Sequence, residues 1–272
     1  LLNQLKVTAG FIPDQAQVPE EGRIDWGTQE DTHDLRLTIM PTVRGEAFHL
    51  RLLPPPEQIL EPDEIGIDKN TLGKIRSAIE RPDGLVLISG PTGAGKTMTL
   101  YSLLSMLRLE SLVAASIEDP VEFELPLVRQ SQVDVDNGLT MYQGLRALLR
   151  MDPDILVVGE IRDKQSAVTA VRAAASGRLV FATIHAQNAA MAVDVAHDYA
   201  VPRQLLGSTL RVLTGQHLVQ RLCPECSERR PVRGDQRAFF EEAGMDIPEE
   251  LPVPVGCEKC HDVGYMGLVA VF

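Results

Sequence analysis

Gly90-Pro91-Thr92-Gly93-Ala94-Gly95-Lys96-Thr97 fits the spacing G-x-x-x-x-G-K-[S/T] without a mismatch, between an apolar run and a helix-length segment. The glycines let the backbone curl close to a phosphate and turn its N–H groups toward it at a helix N-terminus, where the macrodipole also favours an anion. Lys96 then supplies a point charge to the β- and γ-phosphates and Thr97 a hydroxyl to Mg²⁺, and the nucleotide-contacting run extends through Met98. A glycine-rich turn that merely carries a lysine is the competing reading. The strand before it and the helix after it weigh against that reading.

Ile155-Leu-Val-Val-Gly159-Glu160 puts a carboxylate just past an apolar strand, at the C-terminal edge where open α/β sheets bind ligands. Glu160 is expected to face the γ-phosphate; a solvent-facing glutamate at a strand end is the plainer alternative. The strand offers no Asp for a metal, so metal support must come through water or from elsewhere. Glu118-Asp119-Pro120-Val121-Glu122 follows a second apolar run, 113–117, and carboxylates at neighbouring strand ends can divide metal positioning and water activation. Glu122 is the favoured water-polarising base, and the sequence does not separate it from Glu160. His185 closes Ala182-Thr183-Ile184-His185 at the same edge. A lone histidine is more often structural, but its place beside these strand ends points to γ-phosphate sensing.

All four cysteines fall in two C-x-x-C pairs, Cys223-Pro-Glu-Cys226 and Cys257-Glu-Lys-Cys260. Two such knuckles present four sulfurs to a tetrahedral Zn²⁺ and leave no coordination position open, so the expected site is structural. The 30 residues between the pairs exceed the commonest spacing, and His261 could replace one ligand. Disulfides are the competing reading, opposed by the reducing pool that a cytosolic protein meets.

These residues need a scaffold that gathers strand ends. Apolar runs at 85–89, 113–117, 155–158 and 179–184 alternate with helix-length segments, the rhythm of a parallel α/β sheet. Helices are expected over about 97–109, over the Ala-rich 164–176 stopped by Gly177, and, amphipathic, over 203–222. Residues 1–53 have a different texture. Asp34-Leu-Arg-Leu-Thr-Ile-Met40 and Glu46-Ala-Phe-His-Leu-Arg-Leu52 alternate as strands. Leu35, Leu37 and Ile39 share a face opposed by Arg36, and Phe48, Leu50 and Leu52 a face opposed by Arg51, so both arginines project away from a small core. Pro54-Pro55-Pro56 cannot continue a central strand and marks a boundary, with a linker running to about residue 62.

At 272 residues the chain should hold a large core and a smaller second unit, and 44% hydrophobic with 24% charged residues is ordinary globular composition. A net charge of −12 with no basic run disfavours nucleic acid as a direct partner. No run approaches about 18 apolar residues, so a membrane-spanning helix is not expected and the chain reads as soluble. It begins at Leu1 rather than Met and is expected to be a fragment, whose preceding region could hold a targeting or docking segment.

In order along the chain, Gly90 to Thr97, Ser116-Ile-Glu-Asp-Pro-Val-Glu-Phe123, Leu148-Leu-Arg-Met-Asp-Pro-Asp-Ile155, Val158-Gly-Glu-Ile-Arg-Asp163 and Thr183-Ile-His185 resemble the type II/IV secretion ATPase family. Residues 35–53 resemble its arginine-bearing N-terminal module. The resemblance implies a PAS-like α+β N-terminal domain, residues 1–56, carrying Arg36 and Arg51 as arginine fingers. It joins this to a RecA-like P-loop ATPase domain, residues 57–272, with a zinc-binding tetracysteine element at 223–260. It further implies that 116–123 is the family's Asp box, that Glu160 belongs to its atypical Walker B, which lacks the usual Asp, and that His185 belongs to its His box. ATP, Mg²⁺ and Zn²⁺ are the implied cofactors. The implied assembly is a homohexamer on an inner-membrane platform protein, cytoplasmic and peripheral at that membrane, working as the ATP-hydrolysing motor of a type II secretion, type IV pilus or competence pseudopilus machine. A tetracysteine element resembles the extension and secretion members, since retraction motors generally lack it. The chain departs from the pattern at Ala186, at Ala192-Val-Asp-Val-Ala196 and at Leu268, where relatives tend to carry Thr, Arg and Arg. Those departures are the ground for a second reading, a nucleotide-dependent scaffold with little turnover. A RecA-like DNA motor is the third, opposed by the charge.

Overall fold

The alternation around Arg36 and Arg51 is that of an antiparallel sheet. In the computed structural model, which describes residues 2–12, 18–28, 31–53 and 59–272, helix α1 (Leu2–Thr8) precedes β1 (Glu20–Thr28), β2 (Asp31–Thr42) and β3 (Gly45–Leu53), paired in the order β1-β2-β3. Leu37 and Ile39 are buried with Ile24 under Leu5, Ala9 and Phe11, on the face expected. Phe48 and Leu50 lie opposite Ile39 and Leu37 in the register yet are 48% and 37% exposed, because the covering residues reach β1 and β2 and stop short of the edge strand. On the other face Arg36 and Arg51 are direct cross-strand partners, and the backbone of Arg23 on β1 pairs with that of Arg36 in the register. Lys6 is fully buried, its ammonium bonded to Glu46 and 3.7 Å from Glu20. The expected Pro54–56 boundary lies outside the described residues. The chain divides into two units, Leu1–Ile59 and Leu60–Phe272.

The second unit is an α/β fold. Its elements run α2 (Lys69–Ile79), β4 (Gly84–Ser89), α3 (Lys96–Leu104), β5 (Ala114–Glu118), β6 (Val128–Gln132), α4 (Met141–Leu149), β7 (Ile155–Ile161), α5 (Lys164–Ala175), β8 (Leu179–Ile184), α6 (Ala189–Asp198), α7 (Arg203–Thr209) and β9 (Leu210–Gly215). The six strands form one parallel sheet in the order β6-β5-β7-β8-β4-β9. Every residue of β4, β5 and β8 is buried, as in a sheet covered on both faces, which is why these strands read as unbroken apolar runs. Helix starts follow capping chemistry. The Asp68 carboxylate accepts from Asn70 N and Thr71 N at 3.0 and 3.1 Å, Thr140 and Gln143 form a capping box, and Asp163 and Asn188 each accept from the third residue on. Ala167, Ala170, Ala173 and Ala174 let α5 lie close to the sheet, and Gly177, with φ +96°, follows its end.

Two helix expectations are corrected. The helix after the phosphate loop ends at Leu104, not 109. The segment 203–222 is helical only to Thr209; it then becomes β9 and, after Gln216, β10 (His217–Leu222). Leu206, Leu210 and Leu213 have helical spacing, but β-branched Val212 and Thr214 suit a strand, and β9 satisfies the backbone edge that β4 would otherwise leave unpaired. Beyond β10 come β11 (Glu228–Pro231), α8 (Gly234–Glu242), β12 (Glu250–Val253) and β13 (Tyr265–Val271). β10 pairs with β13 and β11 with β12, both antiparallel. Among the described residues no helix is long and apolar enough to cross a membrane.

Candidate functional site

The phosphate loop runs from the end of β4 to the start of α3. Gly93 and Gly95 hold φ of +77° and +79°, a region that side-chain-bearing residues adopt at a cost, and Gly95 opens α3 with no side chain capping it. At Gly90 a Cβ would lie 2.5 Å from the carbonyl oxygen of Gln216, so the loop packs directly on the β9–β10 junction. The buried Gln216 side chain fixes it there, donating from Nε2 to Ala94 O at 2.7 Å. This curled backbone at an uncapped helix start fits a phosphate group. Thr97 and Met98 follow in the first turn of α3, half-buried.

Lys96 is only 8% exposed. Its Nζ donates to Gly90 O and Pro91 O, both at 3.0 Å, and lies 3.3 Å from His185 Nδ1. Burial depresses the ammonium below its ordinary pKa, partly opposed by the nearby Glu160 carboxylate. His185 Nε2 contacts Glu160 Oε1; Glu160 Oε2 accepts from Arg162 Nε at 2.5 Å; and Arg162 Nη1 reaches Asp119 Oδ2 at 2.7 Å. The result is one chain of contacts from Lys96 through His185, Glu160 and Arg162 to Asp119, crossing the C-terminal ends of β5, β7 and β8. Lys96, Glu160 and His185 are thus brought together at one sheet edge. Arg162 was not singled out from the sequence; its signal was position alone, two residues past Glu160.

Local backbone sets this geometry. The pairing of β7 with β8 shifts register between Val158 and Ile161, and Thr183 Oγ1 donates to Gly159 O at 2.5 Å. A Cβ on Gly159 would approach Glu118 Cα to 3.0 Å, so only glycine lets β7 press this close to β5. Glu118, the last residue of β5, is 2% exposed and accepts from Ser116 Oγ at 2.5 Å, from Gln130 Nε2 at 3.2 Å and from the Tyr101 hydroxyl. Burial raises the Tyr101 pKa well above its usual value, with Glu118 adding to the effect, so the phenol keeps its proton. Glu122 follows in the loop after β5, half-buried, and its backbone hydrogen-bonds the same hydroxyl.

Arg36 and Arg51 lie in the Leu1–Ile59 unit, where with Glu21, Thr38 and His49 they line a concavity of about 190 Å³.

The four cysteine sulfurs lie within 4.8 Å of one another, and His261 is not among them. Cys223 and Cys257 are 3.9 Å apart, Cys226 and Cys260 3.8 Å, and Cys257 and Cys260 3.7 Å. No pair is bonded. A tetrahedron of sulfurs about 2.3 Å from a zinc ion has edges of about 3.8 Å, so the donor set fits Zn²⁺. Burial pushes Cys226 up to about 12. Burial also works against the Cys260 thiolate, but N–H groups of Cys257 and Gly264, each 3.2 Å from its sulfur, bring it down to about 7.

A family model described as type II/IV secretion system protein matches residues 1–272. Type II secretion system protein E of Aeromonas hydrophila is 37% identical over 273 residues, covering 100% of this chain and 54% of that protein. The type IV pilus assembly ATPase PilB of Acinetobacter baylyi is 36% identical over 280 residues, covering 100% of this chain and 48% of that protein. The crystal structure of the pilus retraction motor PilT with bound ADP is similar at a TM-score of 0.58 and 28% identity, covering 82% of this chain and 67% of that one. The chain spans about half the length of the curated relatives it matches.

Proposed function

This chain belongs to the type II/IV secretion system protein family, and we propose that it is the ATP-hydrolysing part of a motor driving a type II secretion or type IV pilus assembly machine. The observation that carries the reading is the continuous contact from the phosphate-loop Lys96 through His185 to Glu160, side chains drawn from three parts of the chain to one sheet edge.

ATP is the substrate. To reach its β- and γ-phosphates Lys96 exchanges the Gly90 and Pro91 carbonyls for phosphate oxygens, which suits a partly desolvated cation. Thr97 is the residue that would hold Mg²⁺, which when bound neutralises charge on the phosphates. Both oxygens of Glu160 are engaged, by His185 and by Arg162, which supports an orienting role for it and leaves Glu122 as the group that polarises the attacking water. His185, between Lys96 and Glu160, is placed to register whether the lysine has moved to a γ-phosphate.

The large unit is read as RecA-like and the small one as PAS-like, with Arg36 and Arg51 as fingers that complete the site when the units close on nucleotide. Cys223, Cys226, Cys257 and Cys260 would hold a structural Zn²⁺, contributing local folding free energy. The working form is a homohexamer bound to an inner-membrane platform protein, cytoplasmic and peripheral at that membrane, with no direct nucleic-acid partner.

The test is steady-state ATP hydrolysis by the purified chain, with and without Mg²⁺, beside Lys96→Met. Metal-dependent turnover that the variant loses is expected. A chain that binds ATP and releases no phosphate as an intact oligomer would be a scaffold instead.

A further inference from the structure

Glu118 is a buried carboxylate that the reaction above does not use. It lies at the centre of a cluster joining three elements. Tyr101 reaches it from α3, the helix that begins at Lys96; Ser116 from its own strand; and Gln130 from the edge strand β6. The same groups hold the following loop. Gln130 donates from Nε2 to Phe123 O at 2.9 Å and accepts at Oε1 from Leu125 N at 2.6 Å. The Tyr101 hydroxyl takes the backbone of Glu122, and its ring meets Phe123 edge-on, centroids 6.2 Å apart.

Residues 119–125 form neither helix nor strand, so their conformation depends on these side chains. Donors converging on a buried carboxylate are costly to disturb, since an oxygen left without its partner there keeps its desolvation penalty. We propose that Tyr101 and Glu118 form a positioning pair that locks the 119–125 loop, and with it the Glu122 carboxylate, to the helix carrying the phosphate-loop lysine. The inference rests on the reading of Glu122 as the water-polarising group. Its consequence is that phosphate and attacking water are aligned by one buried cluster: whatever moves α3 moves the carboxylate with it.

Tyr101→Phe removes the hydroxyl and keeps the ring. A displacement of about 1 Å at a reacting group can cost about a hundredfold in rate, so kcat should fall about tenfold or more, with the Kd for ATP, measured calorimetrically on the full chain, within about twofold. In a Glu122→Gln background the same substitution should cost nothing further, because the residue it positions has lost its function. A merely structural tyrosine would lower the residual rate by the same factor in both backgrounds and weaken ATP binding. Should Tyr101→Phe fold poorly, Gln130→Ala releases the loop from the edge strand while leaving the Tyr101 hydroxyl on Glu118, and must show the same split. Normal turnover in Tyr101→Phe beside an inactive Glu122→Gln overturns the pair and leaves the ATPase reading standing. Near wild-type turnover in Glu122→Gln overturns the pair together with the reading of Glu122 as the water-polarising group, and again leaves the ATPase reading standing.

Discussion

Replacing Lys96 by methionine should separate stability from function, and the two effects can be worked from the same contacts. The side chain is buried, and its ammonium donates to the Gly90 and Pro91 carbonyls. Burial lowers its folded pKa below the ordinary 10.5. Below that depressed pKa the charged lysine is a cost to the fold, and the cost is relieved as pH rises through it toward 10.5, because the unfolded chain there binds more protons. Methionine keeps the stem, removes the charge and forfeits two hydrogen bonds to a charged donor, each worth about 1.5–3 kcal/mol. Relief and loss oppose each other, so the net change should stay within about 2 kcal/mol, roughly 4–8 °C in Tm for a domain of this size. Any stability advantage of the variant should shrink as pH approaches 10.5. Function should respond on another scale. ATP at about a hundred times its Kd adds about 2.7 kcal/mol to the wild type, roughly 5–10 °C. The variant should lose that shift together with a factor of about 10² to 10³ in turnover. Thermal melts with and without ATP, across pH, beside a phosphate-release assay, give all three quantities. A variant that melts more than about 10 °C lower without nucleotide would make Lys96 a structural residue, and one hydrolysing within about threefold of wild type would remove the chemistry from this loop.

Glu160→Gln should bind ATP within about threefold of wild type while turnover falls about a hundredfold or more, because the partner of His185 and Arg162 loses its charge; normal turnover would assign the work to Glu122 alone. Cys257→Ser, or chelation, should loosen residues 217–272 before the phosphate loop, as read by amide exchange, with bound zinc falling from about one per chain; wild-type protein without zinc and with paired thiols would contradict the metal. Arg36→Ala and Arg51→Ala should each cut turnover by about 10³, with ATP affinity little changed; an intact oligomer that loses less than about threefold would exclude closure by these residues.

What the sequence made legible follows burial. The runs that became β4 and β8 are covered on both faces, and continuous apolarity is a signal that needs no partner to interpret. The phosphate loop was legible because its glycines serve backbone geometry that no other residue fills as well. β6 was not, because Val128-Arg-Gln-Ser-Gln132 is a half-exposed edge strand whose glutamines face the 119–125 loop and carry no hydrophobic pattern. β9 was misread because local spacing and tertiary demand disagree there, and the open edge of β4 prevailed. Tyr101 belongs to no motif in the sequence, and only its hydroxyl, aimed at Glu118, gives it a part beyond the core.

The departures at Ala186, Ala192-Ala196 and Leu268 were the ground for a scaffold with little turnover, and their locations decide how much they weigh. Ala186, Ala192 and Ala196 are 9%, 0% and 4% exposed and pack in the same apolar cluster as β8 and α5. A hydroxyl at such a site would need a buried partner, and a guanidinium a charged one. Alanine asks for neither, so these positions work as packing here. Leu268 is 61% exposed on β13, opposite Gln220 in the register and outside the chain of contacts that starts at Lys96. That chain, Lys96 to His185 to Glu160 to Arg162 to Asp119, contains none of the departing residues. Loss of an arginine elsewhere can slow a step or change what the site answers to. It removes no group from the edge where the phosphate-loop lysine, the carboxylate and the histidine meet, so the departures themselves give no physical ground for preferring a scaffold to the proposed hydrolase.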